Sequence, residues 1–181
     1  MNSEVQYKLL TLCMIQDGNR ILLMNRPEKL GFPGYISPGG KVDFPESIVD
    51  GAIREVREET GLIVKEIIYK GLNEFCEINA GLRYMVFNYL VTSFEGELLE
   101  NPPEGELLWV DKDQTDDLPM QEWFRKRIPL FFQPGVFEQS TIWDKNNDVE
   151  LKKTEKYYIE GRLEGVSSSR TGYQPGSDED V

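Results

Sequence analysis

The chain has 181 residues with 32 acidic and 20 basic side chains, a formal net charge of −12, and no histidine. Its length suits one domain with a real core, and its charge argues against a DNA or RNA polymer as the main partner, because such binding rests on cationic patches. Without histidine there can be no histidine-dependent serine or cysteine triad and no histidine-bound zinc, so acid and base work falls to carboxylates, lysine, tyrosine or metal-activated water.

No cationic, apolar leader opens the sequence and no apolar run approaches the length of a membrane span, which predicts a soluble, cytoplasmic protein with no membrane partner. Residues 5–15, VQYKLLTLCMI, are too apolar for a water-facing edge and predict a central strand. Asp17, Gly18 and Asn19 turn the chain into a second strand over 20–24, forming a hairpin that ends near Arg26. A loop rich in proline and glycine follows, and 35–37 form a short strand leading into Gly39, Gly40 and Lys41. Beyond a helix over 47–60, residues 62–79 read as a strand interrupted at Gly71, and RYMVFNYLVTSF over 83–94 is the strongest strand pattern in the chain. A polar connection through Pro102, Pro103 and Glu104 leads to a short strand over 106–111.

A second helix is predicted from near Pro119, kinked or ended by Pro129, and residues 135–144 and 148–158 read as a closing hairpin. Cys13 and Cys76 sit in separate apolar runs and read as buried free thiols, in keeping with a reducing compartment. The composition turns polar after residue 160, which predicts a folded domain over 1–160 and a disordered acidic tail over 161–181. This order of elements gives a mixed sheet with helices on its faces, an α+β or α/β sandwich.

Chemistry concentrates in GGKVDFPESIVDGAIREVREETGL, residues 39–62. The glycine pair after Pro38 marks backbone passing close to something. Val49, Ala52, Ile53 and Val56 recur at helical spacing as a buried stripe, and Gly61 stops the helix. At about 100° per residue, Glu55, Glu58 and Glu59 lie within an arc of roughly 100° beside that stripe. Carboxylates so close repel unless a cation sits among them, and a hard divalent ion, Mg²⁺ or Mn²⁺, fits oxygen donors of this kind. Glu46 can reach the same region from the preceding loop. Lys41 and Arg26 are the two cations that the inferred topology brings towards the site, as phosphate ligands alongside the backbone of Gly39 and Gly40.

The segment from Gly40 through Glu46 and Arg54-Glu55-Val56-Arg57-Glu58-Glu59 to Gly61-Leu62 resembles the signature of the Nudix hydrolases, with every fixed position matched. The resemblance implies an α+β Nudix fold, an α/β/α sandwich with a mixed sheet, whose loop-helix-loop site binds Mg²⁺ and hydrolyses a nucleoside diphosphate linked to a further group. It implies Glu55, Glu58 and Glu59 as metal ligands, Glu46 as an accessory acid and Arg54 as the residue orienting the glutamates. A looser likeness to the MutT-like branch, the 8-oxo-dGTP diphosphatase type that cleanses nucleotide pools, makes Glu104 a further metal contact and a candidate base, with Glu58 the alternative. The positions before Pro38 are Tyr35, Ile36 and Ser37, without the asparagine that can read the base in that branch. Asp116, Asp117 and Glu122 remain as acceptors for a purine edge, and Trp123 or Phe32 as stacking surfaces. The expectation is a Mg²⁺-dependent pyrophosphohydrolase of a small nucleotide. A Nudix enzyme for a nucleotide sugar, ADP-ribose or an RNA 5′ end is the alternative, and a non-catalytic nucleotide-binding module is the third reading.

Overall fold

The structure, a computed structural model, describes residues 5–170. Among them nine strands form one mixed sheet: β1 (Gln6–Asp17), β2 (Arg20–Arg26), β3 (Gly34–Ile36), β4 (Ile63–Glu77), β5 (Leu82–Glu95), β6 (Glu106–Asp111), β7 (Val136–Asp144), β8 (Val149–Ile159) and β9 (Arg162–Arg170). The path runs β3-β2-β1-β5-β4-β7-β8-β9, with β6 paired to β2. Two helices, α1 (Ile48–Thr60) and α2 (Glu122–Arg127), complete the α+β architecture, and a 3-10 turn continues α2 through Pro129.

The predicted central strand is β1, which pairs in parallel with β5 along ten residues. Its hairpin with β2 is shorter than the sequence implied and closes only at Ile15–Asp17 against Arg20–Leu22. Further down, β1 bonds instead to the glycine segment: the Pro38 carbonyl accepts from Cys13 N–H at 2.7 Å and the Gly40 carbonyl from Thr11 N–H at 2.8 Å. Beyond that pair the roles reverse, and Val42 N–H donates to the Leu9 carbonyl at 3.0 Å. The catalytic-type loop is thus held as a stand-in strand, and β2 turns away to pair with β3 and β6.

Each sheet face has its own core. On one face Ala52 and Val56 of α1 pack with Cys13, Ile15, Leu22, Leu62 and Val91; on the other Phe124, Ile128 and Phe131 pack with Leu12, Met14, Ile21, Leu23 and Leu90. Ser47 caps α1, its hydroxyl accepting from Asp50 N–H at 3.2 Å, and Gly61 ends it in the left-handed region at φ 83°. A row of amides ties the outer strands to the centre: Asn88 donates to Asn73 (2.8 Å), Asn73 to Gln139, and Gln139 to Glu155 (2.8 Å), crossing β5, β4, β7 and β8. Cys13 is buried and Cys76 half-buried, both as free thiols. No helix among the described residues is long and apolar enough to cross a membrane.

Two expectations are corrected. Residues from 161 onward are not all without structure: Arg162–Arg170 pair with β8, completing a ladder whose near side β7 already fixes. The rest of the expected tail, 171–181, lies outside the described residues. The α1 stripe is also turned by one position, since Val49 is 37% exposed while Ile48 packs on the core with Ala52 and Val56.

Removing the α1 cap leaves one first-turn N–H without its partner. Ser47→Ala is expected to cost about 1 kcal/mol, read as a lower chemical-denaturation midpoint at unchanged slope.

Candidate active site

That one-position turn of α1 decides where its glutamates go. Glu59 is carried inward and is 4% exposed, while the Glu58 side chain stays 60% exposed. Glu55 lies between them, its side chain 14% exposed. Gly39 N–H donates to the Glu59 carboxylate at 2.8 Å. A Cβ on Gly40 would come within 2.6 Å of the Glu55 carboxyl, so only glycine leaves that carboxylate its place. Gly39, at φ 150°, is pressed against β1, where a Cβ would meet the Thr11 carbonyl oxygen at 2.2 Å.

Arg54 joins loop to helix. Its Nε and Nη2 form a fork on Glu46 (3.0 and 2.6 Å), Nη1 donates to Glu55 (2.8 Å) and Glu58 (3.0 Å), and Nη2 also reaches the Lys41 carbonyl (2.9 Å). All of the guanidinium's donors are used. The Arg54 hydrogen bonds, helped by Asp43 N–H, hold the Glu46 carboxyl down at about 2. Glu55 shares the same guanidinium yet is raised, because its burial outweighs the hydrogen bond. Glu59 is pushed up to about 8, first by burial and then by the charges of Glu104 and Glu55, with Gly39 N–H and Arg26 opposing.

Glu104 therefore comes to the cluster from the loop before β6, as its position ahead of Trp109 suggested. Gly105 makes this possible by passing so close to Asn25 that a Cβ would meet its carbonyl oxygen at 2.2 Å. Arg26 stands 3.6 Å from Glu104, and its buried Nε has no acceptor. Lys41 does not join them. Its side chain is 77% exposed and faces Asp43 at 3.6 Å, because the backbone bridge between Leu10 and Lys41 turns it outward.

The acids expected to read a base are dispersed as well. Asp116 is 89% exposed beside Arg125 (3.9 Å), and Glu122 pairs with Arg125 and Lys126 (both 3.5 Å). Asp117 lines a hollow of about 330 Å³ with Leu108, Trp109 and Gln114, while Asp116 lines a different one of about 350 Å³ with Lys112 and Phe132. Phe32 and Trp123 do meet, edge to face at 6.4 Å. Sequence reasoning missed Asp43, whose N–H donates to Glu46 at 2.7 Å, because backbone donors leave no residue-type signal.

A family model described as the NUDIX domain matches residues 7–131. The chain belongs to the Nudix family. It is 34% identical over 114 residues to an uncharacterized Nudix hydrolase, YvcI, of Bacillus subtilis, covering 61% of this chain and 70% of that protein. It is 33% identical over 133 residues to an oxidized purine nucleoside triphosphate hydrolase of Danio rerio, covering 72% and 83%. Among solved structures, a MutT protein from Bacillus halodurans superposes with a TM-score of 0.66 at 27% identity, covering 89% of this chain and 97% of that one. As a Nudix hydrolase the chain acts on phosphoric anhydride bonds, and the helix that carries the Nudix glutamates is α1.

As the side chains lie, Arg54 draws Glu58 away from Glu59, and no group of three or more acidic side chains among the described residues stands close enough to share one ion. The donor chemistry nonetheless suits a divalent cation. Glu55 and Glu59 are oxygen donors raised first by burial, Glu104 raises both, and Glu55 also raises Glu59. Because the folded pKa of Glu59 lies above the unfolded value, the native state holds more protons than the unfolded chain from the ordinary carboxylate range up to about 8. Stability of EDTA-treated protein is therefore expected to fall as pH rises through that window, by at most ~1.4 kcal/mol per pH unit. Calorimetry of wild type and Glu59→Gln from pH 5 to 8 checks this: the substitution should flatten the fall, and added Mg²⁺ should raise Tm most at the alkaline end.

Proposed function

We propose that the protein is a Mg²⁺-dependent pyrophosphohydrolase of nucleoside triphosphates, releasing a nucleoside monophosphate and pyrophosphate, with 8-oxo-dGTP as the favoured substrate and nucleotide-pool cleansing as its role. The observation that carries this reading is the placing of Glu59 against Gly39 and of Glu55 against Gly40, with Arg26 and Glu104 paired nearby and both acting on the charge of Glu59. The Danio rerio relative's name supports the oxidised purine, and the net charge of −12 favours a small nucleotide over a polymer.

A phosphoric anhydride resists hydrolysis because water must approach phosphorus through a screen of negative oxygens. A bound Mg²⁺ would shield those oxygens and acidify water. Glu55, Glu58 and Glu59 would hold it, with Glu46 and Glu104 contributing. Glu46 acts mainly by fixing Arg54, and Arg54 sets the spacing of Glu55 and Glu58. Arg26, whose side chain is 24% exposed and is held only by its 3.6 Å contact with Glu104, would turn its guanidinium to a phosphate oxygen, and backbone at Gly39 and Gly40 lets the phosphate chain come close. Glu104 takes the proton of the attacking water, since its pairing with Arg26 at 3.6 Å is loose enough to leave an oxygen lone pair available. Glu58, exposed and tied only to Arg54, is the second candidate.

A panel of nucleoside triphosphates, 8-oxo-dGTP, ADP-ribose and a nucleotide sugar, assayed with Mg²⁺, tests the reading. Wild type should turn over the triphosphates fastest and yield pyrophosphate in place of orthophosphate. Glu104→Gln and Glu58→Gln should each lower kcat, and the base should be the one whose loss costs at least ~100-fold. Faster turnover of ADP-ribose or the nucleotide sugar would move the protein to another substrate class. Nucleotide binding without any turnover would make it a sensor.

The glycine pair gives an independent check. Gly40→Ala forces the Glu55 carboxylate aside, and a displacement on the order of 1 Å at a catalytic group costs about 100-fold. Its kcat should fall that far while Tm stays close to wild type.

A further inference from the structure

Arg127 is the anomaly that the acidic site does not absorb. It lies in α2 and is 8% exposed. Its Nε is buried with no hydrogen-bond acceptor, and no carboxylate of the described residues pairs with it. The neighbouring acids go to Arg125 and Lys126 instead. Burial pulls its pKa down, and no anion opposes that pull. A desolvated guanidinium without an acceptor is costly, and most buried charges are paired.

What Arg127 does have is an aromatic setting. Its guanidinium carbon lies 4.8 Å from the centre of the Trp123 ring. Trp123 meets Phe32 edge on, and these two rings remain 40% and 63% exposed. Phe32 is held at φ 48°, a left-handed conformation that a bulky residue adopts only when its surroundings impose it. Those surroundings are rigid. Tyr35 N–H donates to the Pro119 carbonyl at 2.8 Å, Gln121 donates to the Pro33 carbonyl at 3.1 Å, and Gly34 runs so close to Pro119 that a Cβ would come within 2.4 Å of its oxygen. The same ribbon leads to the carboxylates, because Gly34 is the register partner of Arg26. Exposed rings backed by a donor-only group thus stand beside one end of a two-stranded ribbon whose other strand carries Arg26, which faces Glu104 of the loop before β6 at 3.6 Å.

We propose that Arg127, backed by Trp123 and Phe32, reads the substrate's ring and selects 6-oxopurine nucleotides, whose O6 and N7 accept hydrogen bonds, over 6-aminopurines, whose N6 group donates. The proposal rests on the nucleotide reading of the acidic site. A guanidinium has donors only, so an amino group facing it leaves donors opposed and desolvated, whereas a carbonyl supplies the acceptor that Arg127 lacks. 8-Oxoguanine keeps O6, gains O8 as an acceptor and turns N7 into a donor, so the discrimination at position six survives oxidation. Asp116, Asp117 and Glu122 are not needed for this selection.

The test compares kcat/KM for dGTP and dATP in wild type, Arg127→Met, Arg127→Gln and, as a control, Lys126→Met, whose side chain is exposed. Wild type should prefer dGTP. Arg127→Met should lower the dGTP to dATP ratio by roughly ten-fold or more, Arg127→Gln, which can accept as well as donate, should also reduce it, and Lys126→Met should keep it. Fluorescence titration with GMP and AMP gives a readout that needs no turnover. GMP should quench more tightly than AMP, and Trp123→Phe should remove most of the signal. Tight GMP binding that depends on Arg127, without hydrolysis of any triphosphate, would sink the hydrolase reading and leave the Arg127 assignment standing. Equal preference for the two purines in wild type, a ratio that survives both Arg127 variants, or no binding of either monophosphate would overturn the assignment.

Discussion

Everything at the acidic site depends on the Arg54 guanidinium. It is the cation within reach of Glu46, Glu55 and Glu58 at once, and it also holds the carbonyl of Lys41, so a loop and a helix far apart in register are fixed by one side chain. Its effect differs from partner to partner. Glu46 accepts a two-point fork as well as the Asp43 N–H and is held at about 2, while Glu55 accepts one bond from Arg54 and is still raised by its burial. The fork sets geometry, and burial sets charge. A lysine in its place would keep the charge and lose the shape, because an ammonium cannot offer a planar pair of donors to Glu46 while serving two more carboxylates.

That constraint works only because the sheet leaves a gap for it. Had β1 and β2 paired along their full length, β1 would have no free edge for the glycine segment. The early divergence of β2 towards β6 opens that edge, and Pro38, Gly40 and Val42 occupy it. Gly39 then presents its N–H to Glu59 from a fixed platform. The same divergence takes Arg26 to the loop carrying Glu104. One topological decision, made by the turn at Gly18, therefore brings the loop acid, the basic residue and the helix together.

Much of this was legible in the sequence. The strands before β9, the two helices and the closing hairpin follow from periodicity, the neighbouring of Glu55 and Glu59 follows from the Nudix spacing, and both signals are local in the chain, whereas Glu104 is suggested only by the looser likeness to the MutT-like branch. What escaped depended on details of packing that spacing does not carry. The phase of α1 was off by one position because Ile48 and Val49 are equally apolar, and only the sheet beneath selects Ile48. Lys41 was assigned to phosphate by its place after the glycines, but strand-like backbone alternates side-chain direction, and the bridge to Leu10 turns this one out. The strand β9 carries only Leu163 and Val166 as large apolar residues, both exposed, because it lies at the outer edge of the sheet, where ladder bonds to β8 stand in for a core. Arg127 gave no signal at all, since a basic residue in the last turn of a helix is the ordinary partner of the helix dipole.

The two uncompensated parts of the molecule fit one ligand. Around Gly39 and Gly40 there is surplus negative charge, held partly buried and answered by Arg54 and the loosely paired Arg26. In α2 there is a buried positive charge answered only by a ring face. Each is unfavourable alone, and folding would be better served by letting an acid from the first pair with the arginine of the second. The acids stand on α1 and in the loop before β6 while Arg127 stands on α2, and no salt bridge among the described residues joins them. The nucleotide we propose as substrate would bring Mg²⁺ to the carboxylates and hydrogen-bond acceptors to Arg127, and so would offset both deficits.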